Sequence, residues 1–363
     1  DNSKIHHGTL KKCMKYEVDR KDNYRIYDFE YQPWVLEKYG RIFDVNATLS
    51  QYSSKIHSIC QAVQRSNGMV LIYSRYLEGG LLPMALALEE MGLSRHCTVE
   101  KNGNLMKKSS TNPIKPFYVK SSDSDKPFLG KYAMITGTTR FSPNNKRDLE
   151  MVFNKNNYDG KYVKVVLISE AGSEGIDFKF LRQIHIMDPW YNISRAEQII
   201  GRGVRNKSHC MLPFEQRNVE IYMHASVNPA ERDMFGSSLE TADLYMYRLS
   251  EEKAIKIGQI TRVMKEVAVD CLLNYDQQNF NENKMNTEVM MKTSSGKEIQ
   301  YRVGDKSFSS KCDYMEKCEY QCSPSLGKNV DVNTLPTNTI TYGLSHLQRR
   351  REIITKRIRQ LFR

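Results

Sequence analysis

The sequence lacks any apolar run near the ~20 residues that a helix needs to span a bilayer, and its mean hydropathy is −0.59. Its opening residues also lack the charged-then-apolar pattern of a secretory signal. These absences predict a soluble protein with no membrane partner. The eight cysteines lie at irregular intervals in 363 residues, unlike a disulfide scaffold, so reduced thiols in a reducing compartment are expected.

Motifs that would process a nucleotide unaided are also missing. The sequence has no GxxxxGK[ST] phosphate loop, since Gly296-Lys297 lacks the earlier glycine and is followed by Glu298. No Asp-Glu pair ends a strand-like run to hold Mg²⁺ and polarise water. A nuclease or a methyltransferase is disfavoured, because neither a carboxylate cluster nor a GxGxxG motif is present.

The composition is that of a folded, basic protein. Hydrophobic residues make up 40% and charged residues 26% of the chain, which is enough apolar material for a core. The 54 Lys+Arg outnumber the 42 Asp+Glu, so the formal net charge is +12. That excess suits a nucleic-acid partner, although it also serves solubility.

The pattern along the chain divides it into three parts. Residues 1–54 are aromatic-rich without a clear period and are predicted to be an irregular lead-in. Residues 55–236 alternate apolar strand-like runs with helical stretches, apart from a polar insertion at about 97–128. This part predicts an α/β fold, a parallel sheet flanked by helices with ligand sites at the carboxyl ends of its strands. Residues 237–363 are predicted to be a helical and irregular extension with a basic terminal helix.

The most specific motif is Gln198-Ile-Ile-Gly201-Arg202-Gly-Val-Arg205. Its two arginines, three residues apart, share one face of a helix, where their planar guanidinium groups can reach phosphate oxygens together. Gly201 leaves room for a close approach, and Gln198 can hydrogen-bond a γ-phosphate or an attacking water. This pattern is typical of arginine fingers that act on a nucleotide held elsewhere. The alternative is a solvated basic helix.

A glycine-containing turn, Gly172-Ser173-Glu-Gly175-Ile-Asp177, follows the Val-rich run that ends at Ile168. Its backbone N–H groups and hydroxyl can hold a phosphodiester. Asp177 can accept a hydrogen bond from a ribose hydroxyl. Turns of this kind are common after strands, so the motif is informative only together with the arginines.

Taken together, these residues resemble the second RecA-like domain of superfamily 2 helicases over about Lys55 to Met223. Residues 70–75 resemble motif IV, residues 172–177 motif V and residues 198–205 motif VI. The resemblance implies three groups of roles. Nucleic-acid backbone contacts fall to Ser74, Arg75 and Ser173, coupling to Gly175 and Asp177, and γ-phosphate contacts to Gln198, Arg202 and Arg205, with Gly201 also at the nucleotide.

A narrower resemblance rests on residues 194–209 and 244–253. They are similar to the helicase-type ATPases of nucleocytoplasmic large DNA viruses, including the poxvirus early transcription factor small subunit, the poxvirus nucleoside triphosphate phosphohydrolase and African swine fever virus relatives. Residues 188–192 also resemble the matching stretch of Snf2-like translocases. This implies a viral transcription role, a viral RNA polymerase as a partner, and a location in the host cytoplasm at viral factories or in the virion.

The function implied is that of the C-terminal motor domain of a nucleic-acid-dependent ATPase, a helicase or translocase. ATP and Mg²⁺ would be held mainly by a first RecA-like domain, which this sequence does not contain. The start at Asp1 rather than Met suggests an excised carboxyl-terminal fragment, which is expected to be inactive by itself. The alternative is a non-catalytic nucleic-acid-binding or docking module that keeps a RecA-like shell.

Two features of the extension remain open from the sequence. Cys312, Cys318 and Cys322 form a C-x5-C-x3-C cluster, but zinc sites favour four ligands and shorter spacings, so zinc is disfavoured and reduced cysteines are expected. The basic helix from about Leu347 to Arg363 suits a nucleic-acid clamp, a membrane-surface helix or the first helix of a further domain. Its narrow apolar stripe ranks the membrane last.

Overall fold

Strands and helices alternate over much of the chain in the computed structural model, which describes residues 9–21, 24–97, 103–106, 114–121, 123–172, 175–228, 239–271, 286–323 and 344–361. The strands are β1 (Met14–Lys21), β2 (Tyr24–Tyr31), β3 (Met69–Tyr73), β4 (Ser94–Arg95), β5 (Tyr118–Ser121), β6 (Ser124–Leu129), β7 (Lys131–Ile135), β8 (Val165–Ile168), β9 (Leu181–Ile186), β10 (Glu220–Met223), β11 (Glu288–Lys292) and β12 (Glu298–Arg302). The helices are α1 (Thr9–Cys13), α2 (Pro33–Tyr39), α3 (Leu49–Tyr52), α4 (Ser54–Arg65), α5 (Leu82–Glu90), α6 (Asn145–Val152), α7 (Ile193–Gly203), α8 (Ala242–Val267) and α9 (Leu344–Leu361).

The central sheet contains six parallel strands in the order β10-β9-β3-β8-β7-β4. Every residue of β3, β8 and β9 is buried, as expected for parallel strands that are covered on both faces. The RecA-like parallel sheet flanked by helices is therefore confirmed. The chain forms two units, one of Asp1–Lys256 with Asn283–Gly304 and the other of Ile257–Glu282 with Asp305–Arg363.

Two hydrophobic clusters cover the faces of the sheet. On one face, α4 and α5 pack against alternate strand residues such as Val70, Ile72 and Leu167. On the other, α6 and α7 contribute Val152 and Ile199 to a cluster with the intervening strand residues. Successive side chains of a strand point to opposite faces, so each apolar run supplies both clusters.

The prediction of an irregular lead-in is wrong. β1 and β2 pair antiparallel, from Met14 opposite Tyr31 to Lys21 opposite Tyr24, and α2 and α3 follow. Aromatic residues at alternate positions, Tyr27, Phe29 and Tyr31, are a strand pattern of period two. Phe29 and Tyr31 are buried in the cluster formed with α4 and α5.

The prediction of reduced cysteines is wrong for four of the eight. Disulfides join Cys271 to Cys322 and Cys312 to Cys318. The first pair is 51 residues apart in sequence, yet its Cα atoms lie 5.9 Å apart. The C-x5-C-x3-C spacing does not reveal this pairing, because tertiary folding brings the partner from the distant segment after α8. The free cysteines in the described chain are Cys13, Cys60, Cys97 and Cys210.

The second unit is organised around a buried guanidinium. Arg262 in α8 is 4% exposed and donates hydrogen bonds to the carbonyls of Cys312, Lys317, Cys318 and Glu319. Asp313 supplies its counter-charge at 3.0 Å. Gly258 permits this approach, since a Cβ there would lie 2.3 Å from the Asp313 carbonyl oxygen.

In the described residues, none of the helices combines the length and apolarity that a membrane crossing requires.

A buried carboxylate joins α5 to the sheet in the first unit. Glu89 is 3% exposed and accepts hydrogen bonds from the Leu105 N–H at 2.7 Å, the Met106 N–H at 2.6 Å and the Tyr132 hydroxyl at 2.6 Å. Burial raises the pKa of Glu89 to about 7, although these three donors act in the opposite direction. The side chain therefore satisfies three groups that have no access to water.

We expect Glu89→Ala to lower the free energy of unfolding by about 3 kcal/mol or more, because it leaves buried donors without acceptors. Urea denaturation followed by circular dichroism measures the change. Glu150→Ala, at an exposed position of α6, is the control and should change stability by less than about 0.5 kcal/mol. Equal stability of the two variants would contradict this role of Glu89.

Candidate functional site

Three strand ends meet at the carboxyl edge of the sheet, where the sequence places its motifs. The Ser74 N–H, just after β3, donates to the carbonyl of Ile168 at the end of β8. On the other side of β3, the Met187 N–H after β9 donates to the carbonyl of Tyr73. The segments that follow β3, β8 and β9 therefore lie side by side.

Ser74 points into the protein. Its side chain is fully buried, and its hydroxyl donates to Oδ2 of Asp188, the same oxygen that accepts the Arg75 N–H at 3.0 Å. Gly80 permits this arrangement, since a Cβ there would lie 2.1 Å from the Ser74 Oγ. In this geometry Ser74 orients the turn, and the exposed side chain beside it is that of Arg75.

Two arginine side chains form cation–π contacts with the ring of Trp190. The Arg75 guanidinium lies 3.9 Å from the centre of the Trp190 ring, and that of Arg195 lies 5.3 Å from it. Arg195 also forms an ion pair with Glu170 in the turn after β8. Cation–π stacking on an indole restricts the guanidinium rotamers. The three strand ends thus present oriented positive charge to solvent.

The glycine-containing turn after β8 packs tightly against the neighbouring strand. A Cβ on Gly172 would lie 2.2 Å from the carbonyl oxygen of Ile135 at the end of β7. Gly175 has a φ of +70°, the left-handed region that glycine adopts without strain. Ser173 lies outside the described residues. Beyond the turn, the Phe178 N–H donates to the backbone carbonyl of Arg202 at 2.8 Å, which joins the turn to α7.

Helix α7 presents Gln198 and Arg202 away from the core. Ile199 is buried, and a Cβ on Gly203 would lie 2.6 Å from Leu181 Cδ1, so the helix packs closely on β9 along this face. Gln198 is exposed and Arg202 is half-buried. The guanidinium of Arg202 has no hydrogen bond or ion pair within the described ranges. A Cβ on Gly201 would meet nothing within 4 Å, so that side of the helix is open.

The prediction that Arg202 and Arg205 share one helix face is wrong, because α7 ends at Gly203 and Arg205 lies beyond it. Asp177 holds Arg205 instead. Its Nη1 and Nη2 contact the two carboxylate oxygens at 3.1 and 2.9 Å, and its Nε donates to the Gly201 carbonyl at 2.9 Å. Both side chains are about half exposed, at 47% and 56%. Bidentate pairing fixes the direction of the guanidinium, while solvent keeps the net energy of such a pair small. The structure therefore brings two predicted residues from separate motifs into one contact.

Sequence reasoning assigned no role to Asp188, Trp190, Arg195 or Glu170, which complete this edge. Their position in the sequence could have revealed two of them, because Asp188 and Trp190 lie between the buried strand β9 and helix α7. The arrangement offers guanidinium groups for anionic oxygens. Within the described residues, no group of three or more His, Cys, Asp or Glu side chains is placed to hold a metal ion.

Comparison with known proteins gives a match to one family model and to several viral proteins. Residues 54–207 match the model of the helicase conserved C-terminal domain. The chain is 38% identical over 135 residues to a protein of Acanthamoeba polyphaga mimivirus that is named as an ATP-dependent RNA helicase, and the match covers 37% of this chain and 16% of the relative. It is 26% identical over 284 residues to a protein of Invertebrate iridescent virus 3 that is named as a helicase, and this match covers 77% of this chain and 24% of the relative.

A termination factor NPH-I homolog of African swine fever virus is 30% identical over 243 residues, 61% of this chain and 33% of that protein. The chain therefore spans between about a sixth and a third of the length of these relatives. The crystal structure of the C-terminal part of the Fun30 ATPase domain aligns with 61% of this chain and 63% of its own at 15% identity, but its TM-score of 0.31 supports no conclusion. Residues 54–207 of this chain therefore match the helicase conserved C-terminal domain, and viral helicases are among the proteins to which the chain is similar.

Proposed function

We propose that this chain is the second motor domain of a nucleic-acid-dependent ATPase of the helicase or translocase type. In this proposal, ATP lies between the carboxyl edge of the sheet and a first RecA-like domain, which holds the phosphates and Mg²⁺. The observation that carries the proposal is the ion pair of Arg205 with Asp177 directly after α7, beside Arg202 in the last turn of that helix. A domain that served docking alone would have no need for paired arginines at this edge.

The states of the two arginines suggest separate roles. Arg202 has no described partner, so its guanidinium is available to phosphate oxygens directly. The guanidinium of Arg205 is oriented by Asp177 in an exposed ion pair, which is weak. A polyphosphate is a stronger competitor for a guanidinium than one exposed carboxylate, because it offers several charged oxygens in the bidentate geometry. Arrival of the nucleotide would thus release Asp177.

That exchange provides a physical link between nucleotide and nucleic acid. Asp177 lies in the turn that the resemblance assigns to backbone contact and coupling, and the turn is bonded to α7 through Phe178. A change in the pairing of Arg205 therefore acts directly on the turn. Arg75, stacked on Trp190, supplies a nearby cation for a phosphodiester.

A role in viral transcription, with viral RNA polymerase as a partner, is part of the proposal. Its support is the similarity to a protein named as a termination factor homolog in African swine fever virus. The second candidate function is a docking or nucleic-acid-binding module without ATPase activity. The coverage of a third or less of each relative is compatible with both candidates.

In a longer protein that carries the first RecA-like domain, Arg202→Ala and Arg205→Ala should each lower ATP turnover by about 10³-fold with little change in nucleotide affinity. The reason is that the guanidinium charge is used mainly in the transition state. Steady-state hydrolysis and equilibrium nucleotide binding measure the two effects. Arg147→Ala, at an exposed position of α6, is the control. Near-normal turnover in both arginine variants would contradict the arginine-finger assignment.

Asp177→Asn should reduce the stimulation of ATP hydrolysis by nucleic acid about tenfold while basal hydrolysis changes less, because the carboxylate couples the two motifs. Hydrolysis rates with and without saturating nucleic acid give the stimulation ratio. The matched control is Asp125→Asn, an exposed carboxylate on β6. Equal losses of basal and stimulated activity would reject a coupling role.

Arg75→Ala should weaken nucleic-acid binding for all sequences alike and flatten the slope of log affinity against log salt by about 0.7 to 0.9. The expected cause is the loss of one phosphate contact and its released counterions. Fluorescence anisotropy of a labelled oligonucleotide at several salt concentrations provides the slope. Lys155→Ala removes an exposed charge elsewhere and should leave it unchanged. An unaltered slope in Arg75→Ala would remove this residue from the interface.

A further inference from the structure

A cavity of about 510 Å³ lies at the amino ends of the strands, at the opposite edge of the sheet from the helicase motifs. Gly68 precedes β3, Lys164 precedes β8 and Arg182 is the second residue of β9, and all three line the cavity. The loop and strand at residues 117–120 form another wall. The volume falls in the range of small-molecule sites in proteins.

Two buried cations face this cavity. Lys164 is 2% exposed, and its Nζ donates to the carbonyls of Ser66 at 2.5 Å and Gly68 at 2.7 Å. An ammonium has three donors, so one remains. Arg182 is 3% exposed, and its Nη2 donates to the carbonyl of Lys292 at 2.6 Å, while its buried Nε has no hydrogen-bond partner. Burial of a charge without a counter-ion is costly.

No carboxylate pairs directly with either cation in the described chain. Asp159 is the acidic group that favours the charged form of Lys164, but its carboxylate accepts hydrogen bonds from the Ser121 hydroxyl and the Lys161 N–H. Glu220 favours the charged form of Arg182 and accepts hydrogen bonds from the N–H and the hydroxyl of Ser294. Burial lowers the pKa of Lys164 to about 7, and an anion beside it would restore the charged form.

The rim and one wall add further recognition chemistry. Lys120 and Lys292 line the cavity and are exposed, so they extend the positive charge to solvent. Three residues with aromatic rings also line the cavity, Phe117, Tyr118 and Tyr158. Cations suit a phosphate group, and aromatic faces suit a planar base.

We propose that this cavity binds a nucleoside monophosphate group, with the phosphate at Lys164 and Arg182 and the base against the aromatic wall. The group is supplied by a free nucleotide or by the phosphorylated end of a nucleic-acid strand. This site is distinct from the ATP interface, because it lies at the amino edge of the sheet. The proposal does not depend on the motor function of the carboxyl edge.

Isothermal titration calorimetry of the 363-residue chain with AMP tests the proposal. The variant Lys120→Glu/Lys292→Glu reverses both exposed rim charges and avoids the buried residues on which folding depends. Its dissociation constant for AMP should rise about tenfold or more, equivalent to roughly 1.4 kcal/mol. Lys126→Glu, an exposed lysine of β6 outside the cavity, is the matched control. Arg202→Ala/Arg205→Ala controls for binding at the motif edge. Lys126→Glu should bind AMP as the unmodified chain does.

The proposal would be overturned by the absence of heat with millimolar AMP, by equal weakening in Lys126→Glu, or by loss of binding only in Arg202→Ala/Arg205→Ala. Adenosine that binds as tightly as AMP would also overturn it, since the phosphate would then have no role. A 5′-phosphorylated dinucleotide distinguishes the two sources. If it displaces AMP, the site takes nucleic-acid ends, and if it does not, the site takes free nucleotides.

Discussion

Main-chain hydrogen bonding on both edges of β3 is the constraint on which the candidate site depends. β3 pairs with β8 on one side and β9 on the other, all in parallel. Parallel pairing places the three carboxyl ends at one edge, and burial of both sheet faces prevents the strands from slipping in register. Segments that are more than 100 residues apart, such as those at Ser74 and Asp188, thereby come into hydrogen-bonding contact.

The two edges of the sheet use positive charge in different ways. At the carboxyl edge, the guanidinium of Arg205 is about half exposed and its pairing with Asp177 is weak, so a stronger anion can replace the carboxylate at little cost. At the amino edge, Lys164 and Arg182 are almost fully buried. They join loops to strands through backbone carbonyls and therefore contribute to folding as well as to a cavity. The exposed guanidinium of Arg205 can therefore exchange its anionic partner, whereas the buried charges of Lys164 and Arg182 keep their backbone partners.

Much of the fold was predictable from local pattern. The alternation of apolar runs and helical stretches over residues 55–236 indicated a parallel sheet flanked by helices, and the Val-rich run that ends at Ile168 is the buried strand β8. The hairpin β1–β2 was missed, although alternate aromatic residues marked it. The disulfide between Cys271 and Cys322 had no local signal, because its partners are 51 residues apart.

The sequence alone determined which residue types stand together on a strand end or helix face, since strand and helix periods are properties of neighbouring residues. That was enough to bring together Arg202 and Gln198 and to show the resemblance to helicase motifs. Only the tertiary structure decided where those side chains point. It turned Ser74 inward to Asp188, placed Arg205 on Asp177 and stacked Arg75 on Trp190. These contacts join residues that are 28 to 115 positions apart, and packing of the whole domain sets their directions.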